Sequence, residues 1–136
     1  MKYDVDVMNS YCDETFFNVA HLHGDDLFFD EIAAYPSNVL NWHDRYTKPS
    51  LAEARKISNK CFLGGVNEVP YFKGKVLQYK SKMATSTPAE IEKHVHEAIA
   101  QVNGRGLIVG PGCVTDPKTK EENYYAVRKA IDTYKY

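Results

Sequence analysis

Two histidines two positions apart, His21 and His23, close a β-favouring run over residues 15–23 that stops at Gly24. Residues two apart on a strand point to the same side, so Phe17, Val19, His21 and His23 share one face while Leu22 turns the other way, against helices. A thiol, Cys113, follows the tight Pro111-Gly112 turn at the end of another strand. Two imidazoles and one thiolate make a zinc set whose fourth position stays open to an outside ligand. A zinc ion there would hold a bound thiol as its thiolate. The same residues admit a plainer reading, in which the imidazoles bond to backbone or solvent and the thiol is a small buried filler.

His43, Asp44 and Arg45 end a second strand, and Asn67 and Glu68 end a third. All five are candidate substrate-binding groups facing the same rim. A guanidinium such as that of Arg45 suits a substrate carboxylate in bidentate fashion. The alternative is a polar strand-end loop with a surface ion pair of small value. No residue is assigned a catalytic role.

Positioning these groups requires strands that alternate with helices. Tyr3, Val7 and Tyr11 recur at helical spacing and predict a helix over residues 3–12. After the first strand, Asp25 and Asp26 favour a helix start; Phe28, Ile32 and Tyr35 continue its apolar face, and Pro36 ends it. Residues 38–42 form the second strand, and Ser50-Leu51-Ala52-Glu53 has the form of a capping box opening a helix to about residue 58. The third strand covers residues 60–65. Residues 66–86 show no strong periodicity and read as a long connection, the kind that serves as a lid. Thr87-Pro88-Ala89-Glu90 is the clearest helix start; Ile91, Val95, Ile99 and Val102 line one face, and Asn103-Gly104 ends it. Residues 106–110 make the fourth strand. Thr119 and Glu122 then suggest a capped helix with a buried stripe of Tyr124, Val127, Ile131 and Tyr134. His94 and His96 read as solvated helix residues, and Cys12 and Cys61 as small buried hydrophobes.

The order is one helix and then four β–α units in a single domain over residues 1–136, an α/β chain with a parallel sheet and right-handed crossovers. A (β/α)₈ barrel needs eight such units and about 250 residues. Four units make either an open sheet or half a barrel. A net charge of −1 over 136 residues, with Lys and Arg dispersed, gives no basic stripe for nucleic acid. No apolar run approaches the roughly 20 residues of a membrane span. Three widely spaced cysteines fit a reducing cytoplasm better than a disulfide framework.

Several stretches resemble the uroporphyrinogen decarboxylase and cobamide-dependent methyltransferase family. His21-Leu22-His23-Gly24 resembles the H-x-C-G element of the methyltransferases. Residues 38–45 with Ser50-Leu51-Ala52-Glu53-Ala54 look like the family's next strand and helix. Gly64-Gly65-Val66-Asn67-Glu68 is similar to its penultimate strand end, and residues 106–113 with Asp116-Pro117 and Glu122-Asn123 to its last strand, ligand turn and closing helix. The resemblance implies the C-terminal half of a TIM (β/α)₈ barrel, strands five to eight. At the last turn the methyltransferases carry a zinc-binding Cys, which Cys113 matches, while the decarboxylases tend to carry His. His23 departs from the family's second ligand Cys.

The resemblance implies thiol methyl transfer at a zinc site of His21, His23 and Cys113, with a cobamide reaching it only through a partner protein. The chain would be incomplete as an enzyme alone. Uroporphyrinogen decarboxylase activity in porphyrin biosynthesis, once the barrel is completed, is one alternative. A non-catalytic metal- or partner-binding subunit is the other. Half of a parallel barrel leaves two bare strand edges, so the expected partner is a second copy in a homodimer or a separate N-terminal half-barrel.

Overall fold

The computed structural model describes residues 1–68, 70–73 and 75–135. Helix α1 (Lys2–Asn9) and a single 3₁₀ turn (Cys12–Glu14) precede strand β1 (Val19–His21). Then follow α2 (Phe29–Ala33), β2 (Val39–Asn41), α3 (Leu51–Ile57) and β3 (Cys61–Val66). A hairpin of β4 (Tyr71–Lys73) and β5 (Val76–Tyr79) leads into α4 (Lys82–Thr85) and α5 (Pro88–Gln101). Strand β6 (Leu107–Pro111) and α6 (Glu121–Thr133) complete the chain.

The main sheet has the order β1-β2-β3-β6, with every neighbouring pair parallel. Parallel neighbours need crossovers, and α2, α3 and α5 supply them. The expected parallel four-strand sheet alternating with helices is what forms.

Alternation sets which side chains are covered. Ala20, Leu40, Phe62 and Leu107 stand in one row of the register and all face the helices. Leu22, Phe29, Trp42, Leu51 and Ala54 pack around that row, with Trp42 edge-on to both Phe29 and Phe62 at 4.8 and 5.3 Å between centroids. The Trp42 indole N–H, which burial would leave unpaired, donates to the Pro49 carbonyl at 2.8 Å. The opposite face keeps Phe17, Val19 and Ile108 exposed.

Both expected capping boxes are present. The Ser50 hydroxyl accepts from the Glu53 amide and Thr87 from the Glu90 amide, while each glutamate reaches back to its cap. Other expectations need correction. The segment 66–86 is not an irregular connection: it holds an antiparallel hairpin and the short helix α4, whose start Ser81 caps. Helix α6 does not bury Tyr124 and Ile131, which are exposed. Its inward residues are Asn123, Ala126 and Ala130, with Val127 and Tyr134 partly covered. Small side chains at that spacing let α6 lie close to α5, and the Asn123 amide crosses to the carbonyls of Met83 and Ser86 at 2.8 and 2.9 Å. Thr119 does not cap α6: the N-cap is Lys120, without a side-chain bond. Helix α1 buries no residue, and Cys12 and Cys61 are half-buried rather than buried.

Phe62 lies at the centre of the covered face with no exposed surface and the Arg55 guanidinium 4.1 Å from its ring. Truncating it empties a site walled by Trp42 and Leu40. Phe62→Ala lowers stability by about 3–5 kcal/mol, measured by urea unfolding.

Candidate metal centre

The C-terminal ends of the parallel strands are held in place by one buried amide. Asn41, the last residue of β2, accepts from His21 Nδ1 at 2.5 Å and donates to the carbonyls of Leu63 at 2.8 Å and Pro111 at 3.1 Å. Because the amide nitrogen gives both its protons to carbonyls, its oxygen is the acceptor, and His21 carries its proton on Nδ1. One side chain therefore ties β1, β3 and β6 to β2.

Two residues past this clamp on β1 and β2 stand His23 and His43. Past the last ladder pair the Leu22 amide donates to the Asn41 carbonyl at 2.8 Å, and the His23 and His43 rings meet edge-on at 5.0 Å. Cys113 reaches them through Gly112. A side chain at Gly112 would drive a Cβ into the Trp42 carbonyl and to 2.9 Å from His43 Cα, so the turn approaches β2 this closely only without one. The donor atoms of His23, His43 and Cys113 all lie within 4.8 Å of one another.

His43 is the buried member of the trio. Its Nδ1 lies 2.7 Å from Glu68 Oε1 and 2.7 Å from the Tyr46 hydroxyl, and the Tyr46 ring stacks on the imidazole. A carboxylate on Nδ1 fixes the tautomer with the proton on that nitrogen and leaves Nε2 as the free electron pair. Glu68 has no exposed surface and its second oxygen makes no hydrogen bond among the described residues. Burial first, and then the charge of Glu68, push the Tyr46 hydroxyl far above its ordinary range, so it stays a phenol and donates to Glu68 at 3.3 Å.

The donor set fits zinc. Nitrogen and sulfur ligands about 2.0–2.3 Å from the metal lie roughly 3.5 Å apart around a tetrahedron. The trio's donor atoms, all within 4.8 Å of one another, belong to an exposed His23, a buried His43 and a half-buried Cys113. Three protein ligands leave a fourth position for an outside ligand.

The structure thus brings together His23 and Cys113 from the expected metal set, but joins His43 to them. His21, the third expected ligand, is committed to Asn41, and its ring lies 6.2 Å from that of His23. The five expected substrate-binding residues divide between two places. His43 and Glu68 belong to the metal cluster. Asp44, Arg45 and Asn67 line a separate cavity toward α5. His94 also lines that cavity: it is buried rather than solvated, accepting the Asn67 amide proton at Nε2. His96 is likewise half-covered, bonded to the Ala130 carbonyl at 3.0 Å. Reading the sequence misses Tyr46 and does not group His43 with His23 and Cys113, although the two-residue offset shared by His21–His23 and Asn41–His43 carries the signal once the register is known.

No known family's sequence profile matches this chain, and no curated protein does. Among solved structures the chain is similar to a methyltransferase from Methanosarcina mazei. The TM-score is 0.68 at 17% identity over 93% of this chain. The chain spans 34% of that protein's length. The likeness establishes the fold: four parallel β–α units of α/β type, corresponding to a partial TIM-like barrel. No helix among the described residues is long and apolar enough to cross a membrane.

Two buried groups beside the cluster give stability opposite pH dependences. Burial, the largest cause, raises Asp44 from 3.8 to about 7. Its neutral form is favoured in the fold, so this contribution is present at low pH and is lost as pH rises through about 7. Burial, with Arg45 and Lys82 nearby, lowers His94 from 6.5 to about 3. That contribution is present above pH 6.5 and is lost as pH falls toward 3. The two slopes oppose each other between 4 and 6.5. In chelator-treated protein, Asp44→Asn makes stability rise with pH relative to wild type over this window, and His94→Gln makes it fall. Urea midpoints at several pH values read both.

Proposed function

We propose that this chain carries the metal-holding end of a thiol methyltransferase site, with His23, His43 and Cys113 as the zinc ligands. The observation that supports it is the convergence of two imidazoles and a thiol at the carboxyl ends of parallel strands, where barrel active sites lie. The buried Glu68 on His43 Nδ1 adds to this, since histidine ligands almost always donate their second ring N–H to a carboxylate, a backbone carbonyl or water. When bound, zinc would supply the positive charge that makes an acceptor thiol a thiolate at neutral pH. The chain's own residues do the positioning: Gly112 brings Cys113 to β2, Asn41 aligns the strand ends, and Glu68 with Tyr46 orients His43. The similar fold of the Methanosarcina mazei methyltransferase agrees with this reading.

The open sheet face, with Phe17, Val19 and Ile108 exposed, calls for cover by further strands, from a second copy or a separate half-barrel. A cobamide would reach the site through a partner protein. Nothing at the trio favours decarboxylation of a tetrapyrrole acid, because Arg45 turns away toward α5.

Zinc titration with inductively coupled plasma analysis tests the ligand set. Wild type takes up one zinc per chain; His23→Ala, His43→Ala and Cys113→Ser each lose it, while His21→Ala keeps it. Glu68→Ala weakens affinity roughly 10–100-fold and Glu68→Gln less. Adding a small alkyl thiol to the zinc-loaded protein releases a proton; a loaded protein that releases none would be a metal-binding subunit without thiol chemistry.

A further inference from the structure

Behind the metal trio, between the ends of β2 and β3, the start of α4 and helix α5, lies a cavity of about 630 Å³. Arg45, Lys80, Lys82, His94, Asn67 and Asp44 line it. Its inner wall contains a hydrogen-bonding conflict. His94 Nε2 accepts the Asn67 backbone N–H at 3.0 Å. A neutral imidazole has one lone-pair nitrogen, so the other, Nδ1, carries the proton. Burial together with Arg45 and Lys82 keeps this ring neutral down to about pH 3. Yet His94 Nδ1 lies 2.8 Å from Nη2 of Arg45, and a guanidinium can only donate. Two donors face each other with no acceptor between them.

The charges point the same way. The Arg45 side chain is 13% exposed, and its nearest carboxylate, Glu97, is 3.8 Å away and 52% exposed. Asp44 turns Oδ1 to the Gly65 amide at 2.9 Å. Lys80 and Lys82 form no ion pair among the described residues. Three cations thus border the cavity: Asp44 and Glu97 act on Arg45 and Glu90 acts on Lys82, but neither lysine has a carboxylate within ion-pair distance among the described residues.

We infer that this cavity is an anion-binding site, in which an oxygen of a carboxylate or phosphate group accepts from both Arg45 Nη2 and His94 Nδ1. Lys80 and Lys82 then neutralise the rest of the group. A single anionic oxygen satisfies both facing donors, which no described protein group does, and a charge-assisted bond to a guanidinium is among the stronger ones. The site stands independently of the metal: it shares strands with the trio, through Asp44 beside His43 and Asn67 beside Glu68, but none of its ligands.

The test is a titration of ¹⁵N-labelled full chain with inorganic phosphate, and separately with malonate, at constant ionic strength set by sodium chloride. Long-range proton–nitrogen spectra report the His94 ring directly. The expected result is a saturable shift of His94 Nδ1 with its proton retained. Arg45→Gln abolishes the shift. Because a buried guanidinium can be needed for folding, the exposed pair Lys80→Gln and Lys82→Gln is the second arm, weakening binding roughly tenfold or more while leaving zinc uptake unchanged. Tighter phosphate identifies a phosphate group and tighter malonate a carboxylate. Shifts that chloride reproduces, that do not saturate, or that the double lysine variant leaves unaltered overturn the proposal.

Discussion

One carboxamide holds the working end of the sheet together. Asn41 is buried at the last position of β2, and its three hydrogen bonds reach His21, Leu63 and Pro111, one on each of the other strands. Parallel strands have evenly spaced, slanted bonds and can slip in register. A side chain that bonds across the sheet removes that freedom where the strands end. The residues that follow inherit the alignment: His23 two past His21, His43 two past Asn41, and Cys113 two past Pro111. The trio is a consequence of register as much as of residue type.

The same region concentrates polar groups that burial disfavours. Glu68 and Asp44 each keep one buried oxygen without a partner among the described residues, and His94 meets a guanidinium donor to donor. An unmet buried polar group weakens a fold by about 1–3 kcal/mol, so each one that persists calls for a reason such as strain, a catalytic role, or a bound water or ion. Both proposed sites contain such groups, Glu68 beside the His23, His43 and Cys113 cluster and Arg45 with His94 in the cavity. The aromatic core of Trp42, Phe29 and Phe62 lies directly beneath and supplies the apolar burial that offsets it.

The fold was largely legible because local chemistry and global arrangement agree. Ser50 with Glu53, and Thr87-Pro88 with Glu90, announce helix starts through side-chain geometry that needs no tertiary context. Short apolar runs before helices announce parallel strands. The errors arise where tertiary packing overrides pattern. Helix α6 looks as though it should bury Tyr124 and Ile131, yet the close approach to α5 selects Asn123, Ala126 and Ala130. His94 reads as a surface residue because its value lies in bonding to Asn67, 27 positions away. The sequence pairs His21 with His23 because both lie on one strand face; that His43 instead lies beside His23 and Cys113, with His21 bonded to Asn41, depends on a long-range contact. That contact joins residues 20 apart and leaves no mark in either local pattern.

We propose that His23, His43 and Cys113 share one metal ion. X-ray absorption at the zinc edge of the loaded protein measures this most directly. The expected first shell is one sulfur at about 2.3 Å and two imidazole nitrogens at about 2.0–2.1 Å, with the sulfur shell lost in Cys113→Ser. A first shell of oxygen alone, or a sulfur shell that survives Cys113→Ser, would contradict it.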